Sequence, residues 1–269
     1  MTEPTGTNAS GAASTDRLWQ SLKLPEQAVL NSRVYKKQLL EAAELSAHDK
    51  KIVNEDVDSL IWRHTLKPQT IQIPGLQTDH LDYPEIAVIE VSLKSPKRAK
   101  RLVELLQRNI PYPLLLVLTH DHTLWVSLAN KRQSLADSDK LTVEDFFDTG
   151  WLQANALSPE EEAFFSSLDS RHYDWTNLYT FYQALVSRVI ALQAARLTGQ
   201  FQLDTSADKD RGTTKKDRPA LLRDIKALEE KLTSLTAELK KETQFNRRLE
   251  LNISIKQCQQ EIANLTQYL

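Results

Sequence analysis

The pattern of apolar and polar positions organises the chain around the stretch from Tyr83 to Arg132. Ile86 to Leu93 is dense in β-branched residues and bracketed by Pro84 and Pro96, which predicts a strand. Lys97 to Asn109 sets Leu102, Val103, Leu105 and Leu106 on one side of a helix, with the basic residues largely on the other. Leu114 to Leu118 is wholly apolar, as in a strand covered on both faces, and Leu124 to Ala129 returns as its hairpin partner. Strand, helix and strand form a βαβ unit around which the chain is organised.

Around that unit the pattern is mostly helical. Residues 1–17 read as a disordered tail, with a short helix reaching Leu22. Ser32 to Leu45 and Asp49 to Trp62 carry apolar residues at helical spacing, and Thr70 to Ile73 alternates like a strand before Pro74-Gly75. Thr142 can cap a short helix through Phe146 and Phe147, and Ser158-Pro159 followed by three glutamates opens another. Asp174 to Leu197 is a long helix that Gly199 ends. Residues 204–218 are polar, carry both charge signs and read as a linker.

From Pro219 to Leu269 the period changes. Ile225, Leu228, Leu232, Leu235 and Leu239 alternate three and four apart, as in a coiled-coil seam. Leu251, Ile255, Cys258, Ile262, Leu265 and Leu269 do so again, out of phase with the first run. Lys240 to Asn246 has no turn chemistry, which favours one interrupted helix of roughly 75 Å over a hairpin of two arms. The organisation expected is an α/β domain at 18–203, a linker, and a helical arm at 219–269.

Charge sharpens this picture more than composition does. The 269 residues carry a formal net charge of −2, which predicts no bulk attraction to nucleic acid or acidic membranes. Yet 94–108 holds six Lys or Arg against Glu104 alone, and 136–170 holds nine Asp or Glu against Lys140 alone. Cys258 is the only cysteine, which rules out an intrachain disulfide and a cysteine-rich zinc site and fits a reducing cytoplasm. The first fifteen residues lack a basic start and an apolar stretch, so they do not resemble a signal peptide. No apolar run is long enough to cross a membrane.

Candidate chemistry is sparse. No glycine lies between the 86–93 strand and its helix, where a dinucleotide fingerprint or a P-loop needs them. Glu90 and Lys94 share one strand face, and with Asp79 or Asp82 they resemble metal-dependent nucleases of the Pro-Asp…Glu-x-Lys type. Mg²⁺ would be the cofactor in that case alone. Ser92 stands where that motif has its lysine, and an ordinary ion pair is the simpler role for Glu90. His120-Asp121-His122 suits a hairpin turn better than a metal site. Lys97, Arg98, Lys100, Arg101 and Arg108 can track a phosphate backbone, or form a solvated helix face.

Four segments together resemble a bacterial and archaeal family known only as domain of unknown function 4391. They are Trp62-Arg-His-Thr-Leu-Lys-Pro-Gln-Thr-Ile71, Ile110-Pro-Tyr-Pro113, Lys131-Arg132, and Glu242-Thr-Gln-Phe-Asn-Arg-Arg-Leu-Glu-Leu-Asn252. The resemblance implies no catalytic residue. It implies an accessory component of restriction-like or antiphage gene clusters.

The reading expected is an α/β fold with a small mixed sheet and flanking helices, one form of which is a nuclease-like core, followed by a C-terminal coiled-coil helix. The function expected is a non-enzymatic module that docks a larger partner or a second copy. Leu228, Leu235, Phe245, Asn246, Arg247, Ile255 and Ile262 are the candidate partner-binding residues. A metal-dependent nuclease is the alternative.

Overall fold

A computed structural model describes residues 9–42, 45–133, 141–203 and 217–269. Its contacts divide the chain into two compact units, Met1–Val189 and Ile190–Leu269.

The first unit is built on a six-stranded mixed sheet. Its strands are β1 (Val29–Val34), β2 (Val57–Leu66), β5 (Ile86–Leu93), β6 (Leu114–His120), β7 (Thr123–Gln133) and β8 (Leu141–Gln153), in the order β1-β2-β5-β6-β7-β8. Only β5 and β6 are parallel, joined by helix α5 (Ala99–Asn109). The expected βαβ unit with its returning hairpin is therefore the centre of the sheet. Leu76–Gln77 (β3) and Asp82–Tyr83 (β4) form a separate small ladder.

Alternation along β5 assigns the two faces. Ala87, Ile89, Val91 and Leu93 join Leu114, Leu116 and Leu118 of β6 in a core with Leu102, Val103, Leu105 and Leu106 of α5. Ile52 and Val53 of α3 (Ala47–Asp56) complete that core. The opposite face carries Ile86, Val88, Glu90 and Ser92, and helix α1 (Ala9–Leu22) approaches β6 and β7. Leu18 and Leu22 of α1 are buried, so helix occupies part of the stretch expected to be a disordered tail.

Helix α2 (Lys36–Ala42) follows β1, and α4 (Pro68–Ile71) is a single turn after β2. Helix α6 (Pro159–Ser167) starts as its sequence dictates, with a capping box between Ser158 and Glu161. Helix α7 (Leu178–Thr198) ends at Gly199, whose φ of 75° suits the left-handed position that terminates a helix.

Several local expectations are corrected. The 32–45 helix is strand β1 followed by α2, the 49–62 helix is α3 followed by β2, and the short helix after Thr142 is strand β8. In place of the strand at 70–73, Thr70 and Ile71 end α4, which has Pro68 in its first turn, and Gln72 is its left-handed cap. The linker at 204–218 lies outside the described residues apart from its last two positions.

The second unit corrects the single long C-terminal helix. Helix α8 (Arg218–Lys241) and helix α9 (Phe245–Thr266) pack on each other as a hairpin. Its open end is tied by Arg218, whose Nε donates to the Leu269 carbonyl at 3.0 Å. At the turn, one Glu242 carboxylate oxygen accepts the backbone N–H groups of Thr243 and Gln244, each at 2.8 Å. A side chain thus supplies the turn chemistry that the backbone residues lack. Arg247 closes the tip by pairing with Glu238 at 3.2 Å and Glu250 at 3.0 Å.

Candidate functional site

Three places gather the residues singled out by sequence: the Glu90 face of the sheet, the basic helix α5 and the C-terminal hairpin.

Glu90 is 5% exposed in the middle of β5. A register irregularity between Trp62 and His64 lets Arg63 reach it, and Arg63 Nε donates to Glu90 Oε2 at 2.9 Å. The same guanidinium donates to Asn31 Oδ1 at 3.3 Å. Asn31 has a φ of 46° within the irregularity of β1, a conformation that asparagine tolerates better than most residues. Beside the pair, Thr119 Oγ1 donates to Ser92 Oγ at 3.2 Å. Next to Arg63, His64 packs on Trp19 with ring centroids 5.7 Å apart. Burial first, and then the Arg63 charge, push the His64 imidazole down to about 4.

The other members of the nuclease set lie elsewhere. Asp79 is exposed in the β3–β4 connection and Asp82 is half-buried in β4, both before β5 begins. Lys94 follows the other end of β5, exposed, with its backbone N–H held by the Asp56 carbonyl. Asp82 and Lys94 thus belong to opposite ends of the eight-residue β5, whose own length is about 26 Å. Among the described residues no group of three His, Cys, Asp or Glu side chains could hold a metal ion. Glu90 is paired with Arg63.

On α5 the basic residues divide. Arg98 reaches both oxygens of Asp56, at 2.7 and 2.6 Å, and Glu55 at 2.8 Å. Arg101 reaches both oxygens of Asp49 at 2.9 Å. Those bonds hold the Asp49 carboxyl below its usual range. Arg108 lies over the Phe146 ring at 5.5 Å. Lys97 and Lys100 remain exposed. Much of the basic run therefore clamps α5 to α3, a fact the sequence hides because the acids lie more than forty residues away.

Three of the four segments that carry the family resemblance meet at the start of β6. Lys131, 2% exposed, donates from Nζ to the carbonyls of Ile110 at 2.8 Å and Tyr112 at 2.6 Å. Burial pushes its ammonium down to about 7. Trp62 packs against Tyr112 with centroids 6.1 Å apart. Tyr182 Oη accepts the Ala129 N–H at 2.9 Å and lies 3.1 Å from the Leu114 carbonyl. The cluster fixes the loop before the buried parallel strand. Sequence reasoning missed Lys131 as its keystone, although the Ile-Pro-Tyr-Pro loop and the Lys-Arg pair were both visible.

The hairpin sorts the candidate partner-binding residues. Leu228, Leu235, Ile255 and Ile262 are half-buried, in the company of the buried Leu221, Ile225, Leu251 and Cys258. Phe245, Asn246 and Arg247 are exposed at the tip. Two residues not singled out by sequence join them: Leu249 and Ile253 are 53% and 50% exposed, and Phe245 is 79% exposed. At 100° per residue these three lie on the side of α9 opposite Leu251 and Cys258.

No helix among the described residues is long and apolar enough to cross a membrane. No curated protein and no solved structure matches the chain. The model of the family described as Domain of unknown function (DUF4391) matches residues 22–262, and the chain belongs to that family.

Proposed function

We propose that this protein is a non-enzymatic interaction module whose C-terminal hairpin docks a protein partner. One observation carries the reading: α9 is apolar on two opposite sides. Leu251 and Cys258 are buried on one side, while Phe245, Leu249 and Ile253 stand in water on the other. Burial of such side chains is worth about 1.5–3 kcal/mol each, so an exposed row of three favours a covering surface. The setting that the family resemblance implies, an accessory component beside larger proteins of restriction-like or antiphage clusters, supplies candidates for that surface.

The nuclease alternative has less support, because Glu90 is occupied by Arg63 and the other carboxylates of its set lie beyond the strand's end. Nucleic-acid contact through α5 would rest on Lys97 and Lys100, with Arg98 and Arg101 turned to α3.

The experiment is light scattering and co-purification of the full chain, wild type against Leu249→Asp with Ile253→Asp. The reading expects a partner, or a second copy, that is lost from the variant while the helical circular dichroism signal is kept. A wild-type monomer whose co-purifying proteins are all retained by the variant would overturn it.

A further inference from the structure

The outward side of α9 has a narrow apolar strip set among cations. Phe245, Leu249 and Ile253 recur every four residues and span roughly 80° of the helix circumference. A helix entering a core or lying on a membrane presents an apolar face of about 100° or more. A strip this narrow suits the side of one other helix, packed ridge into groove.

The charges around the strip are one-sided in what they leave free. The acids between residues 238 and 256 are Glu238, Glu242 and Glu250. Glu238 and Glu250 are taken by Arg247, and the Glu242 carboxylate receives the turn's N–H groups. Lys240, Lys241, Arg248 and Lys256 are exposed and have no ion pair within 4 Å among the described residues, and Arg248 acts on the Glu242 carboxylate only through its longer-range charge. Helical spacing places Lys256 in line with the strip and Arg248 at its flank. The tip therefore offers apolar contact bordered by an excess of positive charge, five Lys or Arg against three Glu between residues 238 and 256.

We infer that this strip receives an acidic amphipathic helix of another protein. Its apolar residues, at i, i+4 and i+8, would lie along Phe245, Leu249 and Ile253, with carboxylates against Arg248, Lys256 and the lysines at the turn. Complementary charge would then set the partner and speed the encounter. A second copy fits less well, because an isologous contact of strip on strip would set these cations against their own equivalents. Nucleic acid would answer the charges but leave the apolar row in water. The inference rests on the docking-arm reading and adds the chemistry of the partner.

The test uses the full chain and two labelled helical peptides that share a leucine row at i, i+4 and i+8. One is flanked by glutamates, the other by lysines; vesicles containing phosphatidylglycerol form a third arm. The glutamate peptide should bind about tenfold more tightly than the lysine peptide, and Leu249→Ala should weaken it about tenfold. Arg248→Glu with Lys256→Glu should reverse the preference, and Leu249→Gln checks that loss of contact, not of fold, is read. Equal binding of both peptides, binding of neither, or binding to vesicles alone would overturn the inference. If the lysine peptide is preferred, or the chain dimerises through Leu249, the acidic chemistry fails while the docking arm survives. If neither peptide, nor vesicles, nor self-association responds to Leu249, both fall.

Discussion

Arg98 and Asp56 share two hydrogen bonds, 2.7 and 2.6 Å long, across the gap between α5 and α3. With Arg101 and Asp49 beside them, they turn a run of positive charge into a clamp between two helices. Bidentate geometry is what arginine offers and lysine does not.

Arg101→Lys should therefore lower the thermal midpoint by several degrees, although charge is conserved. The contribution of Asp49 has a defined acid limb. Its carboxyl is held below the usual value in the folded state, so its stabilisation is complete above about pH 4 and fades as the pH falls further. Lys97→Glu with Lys100→Glu should leave the midpoint nearly unchanged. Thermal melts of the wild type and the two variants decide this.

Lys131 predicts an alkaline effect. Its ammonium is pushed down to about 7 in the folded chain, whereas the unfolded chain keeps the ordinary value near 10.4. Between those limits the unfolded chain binds more protons, so stability should rise with pH across that window, by at most about 5 kcal/mol. Lys131→Met should remove that slope. It should also loosen residues 110–113, whose carbonyls at Ile110 and Tyr112 lose their donor. Denaturant titrations at both ends of the window measure the first effect, and hydrogen exchange the second.

His64 predicts a slope on the acid side. The folded chain holds its imidazole down to about 4 against an ordinary 6.5. Stability from this group is complete above about pH 6.5 and declines, by at most about 3 kcal/mol, as the pH falls to about 4. His64→Phe, which keeps a ring against Trp19, should flatten that limb in denaturant titrations.

For Glu90 the ion pair implies an asymmetry. Arg63→Ala leaves a buried carboxylate unpaired and should cost about 3 kcal/mol, more than Glu90→Ala, which leaves an arginine able to reach water. Background cleavage of DNA or RNA with Mg²⁺ or Mn²⁺ should be the same for wild type and Glu90→Ala. Metal-dependent cleavage lost in Glu90→Ala would restore the nuclease alternative.

The centre of the sheet was legible because its signals are local: β-branched density in Ile86–Leu93, one-sided leucines in α5 and the apolar run of β6. The 49–66 segment was not. Ile52, Val53, Val57, Leu60 and Ile61 continue a helical spacing across a boundary that tertiary pairing with β5 imposes at Val57. The hairpin turn was hidden because Glu242 makes it through its side chain. Arg63 beside Glu90 and Lys131 beside Ile110 depend on contacts more than twenty residues apart in sequence, which no periodicity reveals.

The central claim is that the outer side of α9 is covered by another protein. Benzoylphenylalanine placed at position 249 of the full chain, in its native host, tests this by photo-cross-linking, with position 226 on α8 as control. The account predicts one heavier adduct of defined mass from position 249 and none from 226. No adduct at 249, or the same smear from both positions, would contradict it.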